Sequence, residues 1–374
     1  MSNRSSCLII AGEKSGEDIA LSFMQELQLA KPEYKFFGVG GDSLQNLGVD
    51  ILYHWRDFSS MGFSEVIKKL PFYYQARKNI LNEVKKRNTK KAILIDFQDF
   101  NLRLSVKLKK MGVDVYYVVA PQAWAWRENR AQTLSQNIKT LFSILPFEKA
   151  WFGARGVKNI ISLPHPLRFE LEPYKDKILN RSVEAWNLNR ICLLPGSRRA
   201  EIEIQLPVFV ESIIKLKKIK PNIFVTLVKA KEVNSPYFEI YKDHFDEIVE
   251  TDSLVKTLLH SDLALATSGT VTLSCGITAT PTIVCYKTNL INEFVFNQFI
   301  KYKGHISLTN LIMKELIFPE LKQDNVNSTN IVEIVNHWSK NPNIVKLKMN
   351  RLKTLLVLLE GDMKTPLEHL KSEF

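Results

Sequence analysis

Two loops carry residue types suited to holding phosphate. The apolar run Ile191–Leu194 ends in Pro195-Gly196-Ser197-Arg198-Arg199, and a helical pattern follows from Ala200 to about Lys217. A glycine lets the backbone approach a ligand, and a helix start offers unpaired N–H groups and partial positive charge. Arg198 adds a planar fork of donors matched to phosphate oxygens. Gly196, Ser197 and Arg198 are therefore candidate anion ligands, with an ordinary strand–helix turn as the plain alternative. The run Leu263–Ala266 ends in a second such loop, Thr267-Ser268-Gly269-Thr270. Ser268, Gly269 and Thr270 fit a phosphate or ribose cradle, though hydroxyls and glycine are common at helix starts. Two cradles on neighbouring strand ends suit a diphosphate.

A second set of residues suits proton transfer. The run Ala92–Ile95 ends in Asp96-Phe97-Gln98-Asp99-Phe100-Asn101, which puts Asp96 and Asp99 at the carboxyl end of a strand. A carboxylate there can take a proton from an attacking hydroxyl, or it can cap the following helix. Glu13, in Ala11-Gly12-Glu13-Lys14-Ser15-Gly16, is another acid–base candidate under the same two readings. Trp124 and Trp126 stand two apart beside Arg127. In an extended segment they face opposite ways, one toward the core and one toward a ligand. Phe63, Val66, Ile67, Leu70, Phe72 and Tyr73 recur at helical spacing among lysines and arginines. That pattern is either a core-facing helix or a basic surface resting on an anionic membrane, and Pro71 is expected to kink or end the helix. The seven histidines form no ligand cluster, and His165 in Pro-His-Pro reads as structural or hinge-associated. No metal or cofactor is implied. Cys7, Cys192, Cys275 and Cys285 are scattered and read as reduced, buried thiols.

The elements that position these residues follow one scheme. Each half opens with a short apolar run, a glycine–serine turn and a helix: Cys7–Ile10 with a helix through Leu29, and Ile191–Leu194 with its own. Further strands are expected at Phe36–Gly38, Ala92–Ile95, Val115–Val119 and Leu141–Ile144, then at Phe224–Val228, Leu263–Ala266 and Thr282–Cys285. Strands alternating with helices give parallel sheets, and ligands sit at the carboxyl ends of such strands. The expected fold class is α/β, with two Rossmann-like domains whose parallel sheets face across a cleft. The expected boundaries are 1–167, 168–345, and a basic helical tail over 346–374 that packs back on the first domain.

Composition narrows the function classes. Apolar residues make up 45% and charged residues 24%, a globular balance. Fifty-one Lys and Arg against 39 Asp and Glu leave +12, which suits an anionic partner. The apolar run near the N-terminus is too short for a signal peptide, and no stretch is long enough to span a bilayer. A cytoplasmic protein is expected. The positive charge is dispersed and no nucleic-acid motif appears, so nucleic acid is not an expected partner.

Eleven segments in order carry a family resemblance: Ala11–Gly16, Gly38–Asp50, Met61–Pro71, Ile95–Leu104, Ala120–Arg130, Leu145–Phe152, His165–Leu167, Leu193–Glu203, Ser268–Leu273, Ile306–Ile312 and Pro319–Gln323. Through them the chain resembles the lipid-A-disaccharide synthase family over nearly its full length. The resemblance implies a GT-B glycosyltransferase that joins UDP-2,3-diacylglucosamine to 2,3-diacylglucosamine 1-phosphate through a β-1,6 link, with inversion. It implies Asp96 as base and Arg198 as stabiliser of the departing UDP. Gly196, Ser197, Ser268, Gly269 and Thr270 would cradle the diphosphate. Asn310, Glu320 and Gln323 would make nucleotide contacts, and Glu13 and Ser15 would shape the acceptor side. It also turns Phe63, Val66, Ile67, Leu70, Phe72 and Tyr73 toward acyl chains or the inner face of the cytoplasmic membrane, where the protein would be peripheral. This chain has Glu17, Gln98, Ser274, Lys287 and Thr309 where the family usually has Asp, Pro, Glu, Arg and Pro. The rival readings are a UDP-N-acetylglucosamine 2-epimerase or other GT-B enzyme, and a non-catalytic basic protein that binds membrane or nucleic acid.

Overall fold

The computed structural model describes residues 5–58, 63–181, 186–231, 233, 235–288, 304–362 and 365–374, without the side chains of 63–68 and 125–126. The chain divides into two compact units, Met1–His165 with Leu359–Phe374, and Pro166–Leu358.

The first unit is built on seven parallel strands: β1 Ser5–Ala11, β2 Tyr34–Gly40, β3 Asp50–His54, β4 Lys91–Ile95, β5 Asp114–Val118, β6 Thr140–Ser143 and β7 Ile160–Ser162. Their order is β3-β2-β1-β4-β5-β6-β7. Strands buried on both faces read as unbroken apolar runs, and the alternation shows in where each residue packs. Leu8 and Ile10 of β1 join one core, while Cys7, Ile9 and Ala11 join the other.

The second unit has six parallel strands: β8 Arg190–Leu194, β9 Phe224–Lys229, β10 Glu247–Glu250, β11 Leu263–Thr267, β12 Thr282–Tyr286 and β13 Glu320–Lys322. The order is β10-β9-β8-β11-β12-β13. In both sheets the chain starts in the middle, builds outward on one side, then returns to build on the other. The reversal falls between β1 and β4 in the first unit and between β8 and β11 in the second. Such a switch point splays the following loops apart and leaves a crevice at the carboxyl ends of the strands. The loops that end at Gly16, Asp99, Arg199 and Thr270 all leave these four strands.

Three expectations change. The helix Phe63–Lys86 runs through Pro71 rather than ending there. The segment Ala123–Trp126 is a helical turn, not an extended stretch, and the side chain of Trp126 lies outside the described residues. The C-terminal segment is shared between the units. Val345, Met349 and Leu352 of the helix Pro342–Leu352 are buried in the second unit. Only Leu359–Phe374 belongs with the first, where Leu367 and Leu370 join its core and Glu373 accepts from Tyr116 Oη at 3.0 Å. His165 is buried at the boundary, where its N–H donates to Leu359 O at 3.2 Å. Burial pulls its imidazole down to about 4. All four cysteines are free and buried.

Candidate active site

In the first unit, the loop after β4 holds its carboxylate under backbone strain. Asp96 and Phe97 are consecutive left-handed residues, with φ of +45° and +49°. Aspartate tolerates that region better than most side chains, whereas phenylalanine adopts it at a cost of roughly 1–2 kcal/mol. Neighbouring groups hold the pair in place. Asp96 N donates to Val118 O at 2.8 Å, and Tyr117 Oη donates to Asp96 O at 3.1 Å. Asn101 Nδ2 clamps Asp96 O at 2.8 Å and Ile95 O at 3.2 Å. The Phe97 ring packs among Phe58, Tyr73 and Phe100. It also fills the space above Gly12, where a Cβ would lie 2.3 Å from the ring. Strain of this kind persists only where neighbouring groups over-determine the backbone, as they do here.

Burial is the main reason that the Asp96 carboxyl is pushed up to about 6; the Glu13 carboxylate adds to it, and the Phe97 N–H opposes it. Asp99, three residues on in the first turn of the helix Gln98–Lys110, is engaged otherwise. Its Oδ1 accepts from Arg127 at 2.9 Å and from the buried Arg130 at 2.8 Å. Of the two aspartates that the sequence left open, Asp99 is exposed, and Asp96 is half-buried with a raised proton affinity. Glu13, at the N-cap after β1, and Ser15, in the first turn of the helix Lys14–Ala30, are exposed. Glu17, absent from the candidates, is a buried clamp that accepts from Gly41 N at 2.9 Å, Leu44 N at 3.1 Å and Trp55 Nε1 at 2.9 Å. Trp124 is fixed in the same manner, donating to the buried Glu148 at 3.1 Å. Burial raises the Glu148 carboxyl to about 7 against the pull of the Leu145 N–H, the Trp124 indole N–H and the Ile144 N–H.

In the second unit, the loops after β8 and β11 close around a cavity of about 320 Å³. Gly196, Ser197, Arg198, Ser268, Gly269 and Thr270 all line it. Val228, Thr251 and Leu254 form a further wall that the sequence reading did not assign. Thr267 was missed too. Its hydroxyl lines the cavity, is buried, and has no hydrogen-bond partner among the described residues. A buried unpartnered hydroxyl costs about 1–3 kcal/mol, so a ligand that supplies the partner gains that much. The only sequence signal was its position at the last residue of a buried strand. Ser268 is committed to the protein: its Oγ donates to Ile306 O at 2.7 Å and its N–H to Cys285 O at 2.9 Å. The space at Gly196, expected to admit a ligand, is filled by Glu201 instead. A Cβ there would lie 2.6 Å from Glu201 Oε2, and φ is +123°.

Asn310, Glu320 and Gln323 lie outside the cavity lining. Asn310 is fully buried, with Nδ2 donating to Phe318 O at 2.8 Å and Glu320 Oε1 at 2.9 Å, and Oδ1 accepting from Phe318 N at 2.8 Å. Glu320 accepts from Ile306 N at 3.0 Å and Ser307 N at 2.9 Å, and Gln323 Oε1 from Thr288 N at 2.9 Å. Glu320, held by Asn310, braces the 304–308 segment, whose Ile306 carbonyl in turn holds Ser268, while Gln323 holds Thr288. Ser274 is buried and does not line the cavity.

In the Phe63–Tyr73 stretch, the side chains of Phe63, Val66 and Ile67 lie outside the described residues. Phe72 and Tyr73 are half-buried and pack against the core, with Tyr73 Oη donating to Phe58 O at 2.9 Å. Leu70 and the neighbouring Tyr74 are exposed. Among the described residues no group of three or more His, Cys, Asp or Glu is arranged to hold a metal ion.

Two parallel sheets, each with its loops at a switch point, define the fold of GT-B glycosyltransferases and their relatives. Solved structures agree on the fold. UDP-GlcNAc 2-epimerase from Neisseria meningitidis bound to UDP-GlcNAc superposes with a TM-score of 0.57 at 11% identity, covering 94% of this chain and 98% of that one. A ugt transferase from Siraitia grosvenorii in complex with UDP gives 0.55 at 9% identity, covering 99% of both. The family model described as lipid-A-disaccharide synthetase matches residues 7–357. The lipid-A-disaccharide synthase of Myxococcus xanthus is 33% identical over 341 residues, 90% of this chain and 88% of the relative. Lipid-A-disaccharide synthase 1 of Legionella pneumophila (strain Paris) is 29% identical over 360 residues, 95% and 93% of the two chains. The chain belongs to the lipid-A-disaccharide synthetase family and is a hexosyltransferase; the likeness to the epimerase is one of fold.

Proposed function

We propose that this chain transfers the diacylglucosamine of UDP-2,3-diacylglucosamine to 2,3-diacylglucosamine 1-phosphate. The acceptor 6-hydroxyl attacks the anomeric carbon, the bond to UDP breaks, and a β-1,6-linked disaccharide 1-phosphate forms with inversion. Asp96 takes the hydroxyl proton. A carboxyl held near 6 is mostly ionised at neutral pH yet basic enough to accept that proton. This placement of Asp96, half-buried on a strained backbone with the Glu13 carboxylate acting on it, is the observation that carries the reading.

The donor diphosphate binds in the second unit. There Ser197, Gly269, Thr270 and Thr267 surround it, and the exposed Arg198 guanidinium neutralises the charge that develops on departing UDP. Asn310, Glu320 and Gln323 act by bracing the wall rather than by touching nucleotide. Glu13 and Ser15 sit on the acceptor side.

Both substrates carry acyl chains, so we place the protein at the inner face of the cytoplasmic membrane as a peripheral enzyme. No described helix is long and apolar enough to cross a bilayer. Leu70 and Tyr74, exposed on a helix with basic neighbours, support a surface contact. Liposome sedimentation of Leu70→Ser/Tyr74→Ser checks this; retained binding would remove the contact.

The reaction is tested by incubating purified protein with both monosaccharide substrates. UDP and disaccharide 1-phosphate should appear in equal amounts. If neither forms, the assignment fails.

A further inference from the structure

The cradle assigned to diphosphate already holds an anion of the protein's own. Glu201, the third residue of the helix Arg199–Ile219, turns back on the loop. Its Oε2 accepts from Ser197 N at 3.0 Å and from Arg198 N at 3.3 Å. Its Oε1 accepts from the Arg198 guanidinium at 3.0 Å. These are the two backbone donors and the cation that a phosphate at this helix start would use. The missing Cβ of Gly196 makes room for this carboxylate. Arg198 is 81% exposed and the Glu201 side chain 27%, so the pair sits at the cavity edge with solvent to swing into.

We propose that Glu201 is a resident competitor for the diphosphate: it occupies the phosphate donors when no nucleotide is bound and must yield them when one binds. This rests on the reading of the loop as a diphosphate site. A carboxylate and a phosphate cannot share the same N–H groups at contact distance without strong like-charge repulsion. Exchange is cheap in geometry, because Glu201 reaches the loop through its own flexible side chain and the helix backbone need not move. By accepting from the Ser197 and Arg198 N–H groups at the helix start, it keeps the loop folded when no nucleotide is bound. Its return helps to expel UDP after transfer. Glu201 therefore limits nucleotide affinity and favours product release, a role separate from proton transfer at Asp96.

Isothermal titration with UDP, and separately with uridine, tests this on the full chain. Glu201→Gln keeps a weaker, neutral acceptor for the two N–H groups and releases Arg198 from its ion pair. Glu201→Ala frees all three donors. Both variants should bind UDP tighter than the wild type, by about 3- to 10-fold, with uridine affinity unchanged, because only the phosphates meet Glu201. The UDP inhibition constant in steady-state turnover should fall in parallel. Equal or weaker UDP binding by Glu201→Gln would overturn the proposal and leave Glu201 as a fixed support of the loop. Thermal melts identify an Ala variant that fails to fold, in which case Gln decides alone. If UDP binds neither the wild type nor the variants, the diphosphate reading itself falls, and this proposal with it.

Discussion

The loops at the two switch points solve opposite problems. After β4, two non-glycine residues take left-handed backbone, and hydrogen bonds and a packed aromatic ring lock them there. After β8, a glycine takes the unusual backbone, Ser197 and Arg198 are exposed, and a carboxylate that can leave holds their backbone N–H groups. The first loop fixes one carboxyl in a desolvated place, where its proton affinity rises. The second leaves donors free to trade one anion for another. A group that moves a proton needs position and burial; a group that binds and releases a leaving phosphate needs access.

The comparison breaks most readily at Asp96. Asp96→Asn keeps a residue that tolerates the left-handed backbone and removes the base. Turnover should fall by about 10²- to 10⁴-fold with UDP affinity unchanged, as read by steady-state kinetics and titration. A loss smaller than tenfold would place the base elsewhere. Arg198→Ala should lower turnover by about 10²-fold and weaken UDP binding as well, whereas Arg198→Lys should recover part of the charge but not the fork geometry. An Arg198→Ala variant with normal UDP affinity would remove the contrast between the two loops. The smallest effects separate rigid from open glycines. Gly12→Ala drives a methyl into the Phe97 ring, and urea unfolding should show a loss of ~1–3 kcal/mol together with reduced activity. Gly269→Ala meets nothing within 4 Å and should stay within about 0.5 kcal/mol of wild type.

Much of the fold was legible because central parallel strands must be apolar throughout. Every strand read from the sequence is now found within a residue or two of its expected ends. The four that went unread are β3, β7, β10 and β13, the outer strands of the two sheets. An edge strand is covered on fewer sides, so Glu247–Glu250 and Glu320–Lys322 carry charge and lack a buried run. Candidate loops were legible for a related reason: glycine, serine and arginine straight after a buried run stand out. What those residues bind was not. Asn310 and Glu320 look like polar ligands in sequence, yet they hydrogen-bond each other and backbone 8 to 14 residues away. Glu201 stayed hidden because its partner at the cap is an arginine, and the familiar pairing begins with serine or threonine. The strain at Asp96 and Phe97 has no sequence signature, since neither residue is one that a left-handed turn demands.

The most direct test of Asp96 as the base is the pH dependence of kcat/KM for the acceptor. A base works ionised, so protonation below its pKa removes activity. With the carboxyl at about 6, kcat/KM of the wild type should rise about tenfold per pH unit below 6 and level off above it, and Asp96→Asn should lose that rise. A wild-type profile flat from about pH 5 to 7, or an Asp96→Asn variant that keeps the same limb, would contradict the account.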